Sequence, residues 1–180
     1  MYVAAYHEET DFRSAGTPST SGPYPCPAFM VSSRVLVIGA LLFAHCAFAE
    51  TIGKVIGISD GDTLTVLVER QQVKVRLVEI DAPEKAQAFG NKSKQSLSTL
   101  CFKKTAKLDD KGKDRYGRTL ARVHCDGIDA NAEQVRHGMA WVYDRYVTDR
   151  SLYGLQDEAR AAKRGLWADP SPMPPWEWRH

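Results

Sequence analysis

Five charged residues stand out in this sequence because their types and order suit one kind of chemistry. Asp62 lies in the stretch Ser59-Asp-Gly-Asp-Thr63. Arg76, Asp81 and Glu84 follow in Arg76-Leu-Val-Glu-Ile-Asp-Ala-Pro-Glu84, and Arg118 ends the stretch Asp114-Arg-Tyr-Gly-Arg118. None of the three stretches contains His or Cys. Two guanidinium groups and three carboxylates of this kind predict hydrolysis of a phosphodiester assisted by a hard divalent cation.

Each of these residue types has a task in such a reaction. A phosphodiester resists attack because it is anionic, so a catalyst must neutralise its charge, supply hydroxide and stabilise the five-coordinate transition state. Arginine suits the first and third tasks, since its planar fork matches phosphate geometry and stays protonated. Two carboxylates can hold a hard cation through oxygen, and a third can orient or deprotonate the attacking water. The five residues together fill all of these roles.

Each stretch also has a simpler structural interpretation. Asp and Gly are common turn residues, so the stretch around Asp62 could be only a turn. Pro83 could serve simply to end a strand. Arg76 and Arg118 could simply be charged strand residues that face water. Taken one at a time, these interpretations are the better ones. The order and spacing of the five residues together favour the catalytic interpretation.

Alternating hydrophobic residues predict a three-stranded antiparallel meander over residues 52–80. Asp62 would begin its second strand, and Asp81 would close its third. If these strands are antiparallel neighbours, the start of one lies beside the end of the other, and the two carboxylates can share a cation. Arg76 lies five residues before Asp81 and reaches the same face only through a bulge or a strong twist.

The remaining pattern predicts helices and two further strands around this meander. Strands are expected near residue 107 and over residues 118–125. The expected helices cover residues 89–101, the segment from an N-cap at Asn131 to Gly138, and the segment from an N-cap at Asp149 to Arg164, with Gly165 at C′. Together these elements indicate an α+β fold that is mainly β: a five-stranded, partly open barrel of OB type with three helices. The Pro- and Trp-rich tail, residues 169–180, predicts no regular structure, and its two tryptophans are expected to pack on the body.

Residues 1–49 are predicted to lie outside the folded domain, which spans residues 50–168. Residues 30–49 combine a short positive region, an apolar run and small terminal residues, which is typical of a secretory signal peptide cleaved before Glu50. Residues 1–29 are rich in Ser, Thr, Gly and Pro, and are interpreted as an unstructured leader or a mis-assigned start. We therefore expect a secreted or periplasmic protein with no stable membrane association after cleavage.

Composition and charge place weak limits on function. The chain has 180 residues, enough for one domain with a hydrophobic core, and its composition argues against gross disorder. The net charge of +2 permits an anionic partner without requiring one. Cys101 and Cys125 remain after cleavage, an even number in an oxidising compartment. A disulfide between them is expected, with two buried free thiols as the alternative.

At the residues that carry the chemistry, the sequence resembles the staphylococcal (micrococcal, thermo-) nuclease family, over roughly residues 52–167. The resemblance rests on Asp60-Gly-Asp-Thr63, on the stretches around Arg76 and Arg118 quoted above, on Val135-Arg-His-Gly-Met-Ala140 and on Ala162-Lys-Arg-Gly-Leu-Trp167. It implies an OB-type barrel and a calcium-dependent endonuclease. Such an enzyme would hydrolyse DNA and RNA with little sequence specificity and would leave 3′-phosphate ends.

The resemblance also implies a role for each site residue. Asp62, Asp81 and the backbone carbonyl of Ala82 would bind Ca²⁺. Glu84 would position or activate the attacking water, and Arg76 and Arg118 would clamp the phosphate. The candidate substrate-binding residues are Tyr116, Arg115 and Tyr143, with Tyr146 as an alternative to Tyr143. The loop after Glu84 is several residues shorter than in the staphylococcal enzyme, so lysine contacts from that loop are not carried over.

Two other functions stay open on the sequence alone. Some members of this fold are inactive and bind nucleic acid or protein, so a catalytically weak OB-fold binding module is the main alternative. A structural periplasmic domain held by its disulfide is a weaker one. In each case a monomer is expected.

Overall fold

The structure, a computed structural model, describes residues 50–180. The signal peptide and leader predicted for residues 1–49 lie outside the described residues. The strands are β1 (Thr51–Ile58), β2 (Thr63–Val68), β3 (Gln71–Leu77), β4 (Ile80–Asp81), β5 (Thr105–Lys113), β6 (Thr119–Cys125), β7 (Ile128–Asp129) and β8 (Trp141–Val142). The α-helices are α1 (Gly90–Cys101), α2 (Ala130–Arg136), α3 (Ser151–Ala161) and α4 (Pro175–Trp178), and Gly165–Ala168 forms a 3₁₀ turn.

Five of the strands close into a barrel. The strand β1 pairs with β2 and β5, β2 pairs with β3, and β5 pairs with β6, all antiparallel. A parallel pairing of β3 with β6, in which Val75 lies opposite Thr119, closes the cylinder. The predicted five-stranded OB-type barrel in an α+β fold is therefore confirmed.

The core lies inside the barrel and continues beneath the helices. Alternate residues of the strands point inward, and Val55, Leu64 and Val75 are fully buried. Burying a side chain of this size stabilises the fold by about 1.5–3 kcal/mol. Leu97 of α1 and Leu152 of α3 join the same cluster, so the helices share one core with the barrel. The predicted disulfide between Cys101 and Cys125 is present and joins the end of α1 to the end of β6.

The helix α2 begins differently from the prediction. Its N-cap is Asp129, whose carboxylate accepts a hydrogen bond from the backbone N–H of Ala132 at 3.1 Å. Asn131, the predicted cap, lies inside the helix and is fully buried. Its side-chain oxygen accepts from the N–H of Val123, and its amide donates to the carbonyl of Val78. The prediction was wrong because this Asn satisfies backbone groups of the sheet rather than those of its own helix.

The helix α3 is shorter than predicted at both ends. It begins at Ser151 rather than directly after Asp149, although the Asp149 carboxylate still accepts hydrogen bonds from the N–H and hydroxyl of Ser151. It ends at Ala161, so the C′ position falls on Lys163, with φ of 50°, rather than on Gly165, whose φ of 55° is also left-handed. Gly165 instead begins the 3₁₀ turn.

The tail was predicted to contain no regular structure, and this is wrong for its last residues. Pro175 begins the short helix α4, at a position where proline needs no hydrogen-bonded N–H. Trp176 packs against Tyr143 and Trp141, as expected for a tail tryptophan, whereas Trp178 is 46% exposed. Within residues 50–180, no helix has the length and apolar character needed to cross a lipid bilayer.

Candidate active site

Arg76 lies between two buried carboxylates. Thr63 of β2 is paired with Arg76 of β3, so Asp62, which directly precedes β2, lies beside the end of β3. The N–H of Leu77 donates to the carbonyl of Asp62 at 2.8 Å and holds the two segments together. One nitrogen of the Arg76 guanidinium contacts Asp62, and the other donates to Asp81 at 2.7 Å. A single guanidinium thus joins two carboxylates that are 3% and 0% exposed.

Asp81 reaches this position because the chain turns sharply after β3. The prediction that Asp81 closes the third strand is wrong, since β3 ends at Leu77 and Asp81 lies on the separate strand β4. Between them, Glu79 has φ of 67°, a left-handed conformation that side chains other than glycine rarely adopt. The strand β4 then pairs with β8, with Asp81 opposite Trp141. This kink is the irregularity that the five-residue spacing from Arg76 to Asp81 requires.

The loop that carries Asp62 is held by close packing. A Cβ atom on Gly61 would lie 1.8 Å from the hydroxyl of Ser93, so no larger residue fits there without displacing α1. The amide of Gln134 donates to the carbonyl of Gly61 at 2.6 Å and to that of Ser93 at 3.1 Å. Gln134 is therefore a buried support for this loop. Its contacts lie far away along the chain, so no local pattern points to them.

Asp62 is also tied to the peptide of Ala82. The N–H of Ala82 donates to the second carboxylate oxygen of Asp62 at 2.7 Å, and Ala82 itself is 4% exposed. The backbone of Ala82 therefore lies directly against the candidate cation-binding carboxylates. The contact fixes the N–H of Ala82, and the role of the Ala82 carbonyl as a ligand stays a prediction.

Glu84 lies at the more open edge of the same site. Its side chain is 40% exposed, compared with 1% for that of Asp81. A short loop holds its backbone: the N–H of Glu84 donates to the side chain of Gln87, and the N–H of Gln87 donates to the carbonyl of Glu84. A Cβ on Gly90 would lie 1.9 Å from the Glu84 carbonyl oxygen, so glycine is needed for this close approach. A carboxylate fixed by its backbone and open to solvent can orient a water molecule.

Arg118 precedes β6 on the side of the barrel that carries Arg76. Arg76 is paired with Leu120 across the parallel β3–β6 contact, and Arg118 lies two residues before Leu120, so both arginines face outward from adjoining strands. The guanidinium of Arg118 donates to Asp114 at 2.7 Å, and the N–H of Arg118 donates to the same carboxylate. Burial alone would raise the pKa of Asp114, but hydrogen bonds from Arg118 and Tyr116 and the charge of Arg118 lower it below its ordinary value. The Asp therefore stays ionised and holds Arg118 in place.

The predicted substrate-binding residues divide into two groups. Tyr116 is 69% exposed, and the guanidinium groups of Arg115 and Arg118 lie 4.9 and 5.5 Å from the centre of its ring. Tyr143 is half-buried, and its N–H donates to the carbonyl of Glu79, so it lies beside the kink before Asp81. Tyr146 contacts Tyr143 edge-on, with ring centres 5.2 Å apart. Tyr143 and Tyr146 therefore form one aromatic surface, and Tyr116 with its arginines forms another.

The sequence did not point to the cluster around Arg122 that supports the kink. Arg122 donates to Glu79, Asp129 and Asp149 at 3.0, 2.8 and 2.7 Å. The other oxygen of Glu79 accepts from the N–H and hydroxyl of Thr148 and from the N–H of Asp149. Burial alone would raise the pKa of Glu79, but these hydrogen bonds and the charge of Arg122 outweigh burial and lower it below the ordinary value of 4.5. Glu79 lies inside the stretch that was singled out, yet its partners come from distant elements.

A third arginine, Arg179, also enters the site without any signal in the sequence. Its guanidinium donates to Asp81 at 2.6 Å and to Glu84 at 2.6 Å. These hydrogen bonds, of which that to Asp81 has the larger effect, raise the pKa of Arg179 although burial opposes them. The tail that carries it has neither periodicity nor a motif, so only the tertiary structure could identify this residue.

The donor set suits a hard cation. Within residues 50–180, no three side chains of the His, Cys, Asp and Glu types converge on a point where they could bind one metal ion. Binding would therefore depend on Asp62, Asp81, the carbonyl of Ala82 and water, all of which are oxygen donors of the kind that calcium prefers. The Arg76 guanidinium bridges Asp62 and Asp81, so both carboxylates can reach a single positive charge.

Comparison with known proteins places the chain in a family. A family model described as staphylococcal nuclease homologue matches residues 74–169. An uncharacterized endonuclease of Haemophilus influenzae is 46% identical over 155 residues, which cover 83% of this chain and 87% of that protein. A micrococcal nuclease of Shigella flexneri is 44% identical over 150 residues, covering 77% and 86% respectively. By the family model and by these relatives, the chain belongs to the staphylococcal nuclease family.

Proposed function

We propose that this member of the staphylococcal nuclease family is a calcium-dependent endonuclease. It hydrolyses DNA and RNA with little sequence specificity and leaves 3′-phosphate ends. The observation that carries the proposal is the pair of buried carboxylates, Asp62 and Asp81, which Arg76 joins and which Arg179 links to the more exposed carboxylate of Glu84. The names of the endonuclease and micrococcal nuclease relatives support the same activity.

The residues of this chain divide the work of the reaction. Arg76 on β3 and Arg118 just before β6 bind the phosphate oxygens and stabilise the charge that grows on them during attack. Glu84 orients a water molecule and accepts its proton as the water oxygen attacks phosphorus. The P–O5′ bond then breaks, and the 5′ oxygen leaves as a hydroxyl after taking a proton from solvent. A calcium ion held by Asp62, Asp81 and the Ala82 carbonyl would add charge neutralisation and lower the pKa of bound water.

The low sequence specificity follows from the kind of contacts available. The exposed ring of Tyr116, with Arg115 and Arg118 beside it, offers a surface on which a base can stack next to positive charge. Stacking of this kind tolerates any base, because every base has a π face. Arginine contacts to phosphate carry no sequence information either.

We also propose that the protein acts as a monomer outside the cytoplasm. The disulfide between Cys101 and Cys125 supports this location, because such bonds persist in oxidising compartments. The secretory signal proposed for residues 30–49 is independent support from the sequence. The N-terminus of the exported protein, measured by mass spectrometry, tests the cleavage before Glu50, and an N-terminus well upstream would contradict it.

One digestion experiment tests the activity. The purified protein is incubated with plasmid DNA and with RNA, in calcium or in excess chelator, and the product ends are identified. We expect both polymers to be cut in calcium only, with 3′-phosphate ends. The variants Glu84→Gln and Arg118→Ala should each lose about 10²–10³-fold in cleavage rate while melting close to the parent. Arg70→Gln is the matched control, because Arg70 is exposed in the turn between β2 and β3, at the other end of that hairpin.

Three outcomes would contradict the proposal in different ways. Full cleavage in chelator would remove calcium from the mechanism. Near-parental rates in both variants would show that the assigned residues do not carry the chemistry. Salt-dependent binding of DNA without cleavage in calcium would favour the catalytically inactive binding module.

A further inference from the structure

The C-terminal segment, residues 174–180, lies across the candidate active site. Near its end, Arg179 donates to both carboxylate oxygens of Asp81, at 2.6 and 3.4 Å, and to Glu84 at 2.6 Å. Asp81 is a candidate cation ligand, and Glu84 is the candidate residue for the attacking water. The guanidinium of Arg179 thus occupies, on both carboxylates, acceptor positions that the reaction needs.

The same segment covers the aromatic surface beside the site. Trp176 stacks on Tyr143 with ring centres 5.4 Å apart and planes 11° from parallel. Tyr143 is one of the residues on which a nucleotide base is expected to stack, and an indole in this geometry resembles such a base. Directly before the segment, the side-chain amide of Gln87 donates to the carbonyl of Met173 at 2.7 Å. The segment is therefore attached to the loop that carries Glu84.

These contacts cannot coexist with the reactive arrangement. Arg76 holds one oxygen of Asp81 and Arg179 holds the other, so a divalent cation on Asp81 would have to replace one of these guanidinium groups. Arg179 is the one that can leave, because its side chain is 40% exposed and that of Arg76 only 15%. A base on Tyr143 would need the face that Trp176 now covers. The segment presents a positive charge and a stacked ring together, which are two of the features by which the open site would recognise calcium and a polynucleotide.

We propose that residues 174–180 form an autoinhibitory cover that calcium and polynucleotide displace together. The inference rests on the proposed calcium-dependent function. The cover is held loosely enough to leave: of its short helix only Pro175 is buried, and the Arg179 side chain is 40% exposed. Asp81 is buried, so the cover can leave only because an incoming cation, together with Arg76, compensates that carboxylate in place of Arg179. Before calcium is added, the enzyme is covered, and substrate and cation cooperate to open it.

The apparent calcium affinity measures the cover directly, apart from catalysis. Isothermal titration of the purified protein with calcium is compared for the parent, Arg179→Gln, Trp176→Ala and the double variant. If the cover is seated in about nine of ten molecules, its release strengthens apparent calcium binding about tenfold. Trp176→Ala changes no charge, so a rise in its calcium affinity cannot come from electrostatics alone. The double variant should bind calcium no more than about tenfold tighter than the parent, because both changes release one cover.

Arg70→Gln is the matched control for the loss of one positive charge, and its calcium affinity should equal that of the parent. Thermal melts of each variant confirm that it is folded. We also expect Trp176→Ala to lower the KM for DNA.

Several outcomes would overturn the inference. Equal calcium affinity in the parent and in both single variants would show that the segment does not cover the site in solution. If Arg179→Gln bound calcium more tightly than the parent but Trp176→Ala did not, the gain would come from the removed charge alone and not from release of a cover. A fall in kcat for Arg179→Gln with unchanged calcium affinity would make Arg179 a ligand of the substrate phosphate instead. If the parent neither bound calcium nor cut DNA, the proposed function itself would fail.

Discussion

At the scale of single residues, the site depends most on Arg76. Asp62 and Asp81 are buried side by side, and two such carboxylates repel each other unless a positive charge lies between them. Arg76 contacts both and is itself mostly buried, with a side chain that is 15% exposed. The guanidinium therefore compensates the charge of both carboxylates. Calcium bound by the two carboxylates would supply charge to the same place.

This overlap predicts an unusual response to Arg76→Gln. Removal of one partner from a buried charge group leaves the others unpaired, so the free energy of unfolding should fall by about 3 kcal/mol without calcium. Calcium should restore much of the loss, because it stabilises the folded state in proportion to its binding. Thermal melts with and without calcium are the measurement. An equal calcium-induced shift in Tm for the parent and the variant would contradict the prediction.

At the scale of elements, the kink between β3 and β4 aligns the site. It moves Asp81 off the barrel strand and onto the small sheet with β8. The left-handed Glu79 at the kink is held by Arg122 from β6 and by backbone N–H groups before α3. A backbone conformation of this kind persists only when surrounding contacts support it. The cluster therefore joins the barrel, α3 and the kink that leads into β4.

The lowered pKa of Glu79 makes this cluster sensitive to acid. A carboxylate with a folded pKa below its ordinary 4.5 adds stability that is fully present above that pH. The added stability is lost as the pH falls through the lower folded value. We expect Glu79→Gln to lose about 1–3 kcal/mol of stability at pH 7 and to show a weaker further loss below pH 4.5 than the parent.

Urea unfolding at a series of pH values measures both effects. Glu69→Gln is the control, because Glu69 is exposed in the turn between β2 and β3. Its pH dependence should match that of the parent. If the stability of Glu79→Gln fell with acid as much as that of the parent, other carboxylates would be the cause of the loss in acid.

At the scale of the whole molecule, a closed barrel tied by the Cys101–Cys125 disulfide carries the site. The disulfide joins Cys101 to Cys125 across a sequence separation of 24 residues. Cys125 ends β6, whereas Arg118 lies just before the start of the same strand. The covalent tie and the site therefore lie at opposite ends of β6. This separation allows the disulfide to stabilise the fold without shaping the chemistry.

Replacement of both cysteines by alanine tests that separation. A closed loop of this length predicts a loss of about 3 kcal/mol in the free energy of unfolding. The kcat of the folded fraction at low temperature should stay close to that of the parent. Urea unfolding and digestion assays at the same temperature give the two quantities. A large fall in kcat with the fold intact would show that the disulfide also positions the site.

The sequence by itself determined the chemistry and the barrel. Alternation along β1, β2, β3 and β6 is a local property, so the strands could be read from neighbouring residues. The types of Asp62, Arg76, Asp81, Glu84 and Arg118, with their order, were enough to indicate phosphodiester chemistry and the family. Both inferences depend on information that lies within short segments of chain.

Only the tertiary structure decided how the site is assembled and what covers it. Three features depend on partners far away along the chain. Asp81 leaves β3, Asn131 and Gln134 support distant backbone, and Arg179 reaches Asp81. Asp81 and Arg179 are separated by 98 positions, and no local pattern encodes their contact. Polar side chains satisfy whichever groups the folded chain brings near, so their partners are set by packing rather than by neighbouring sequence.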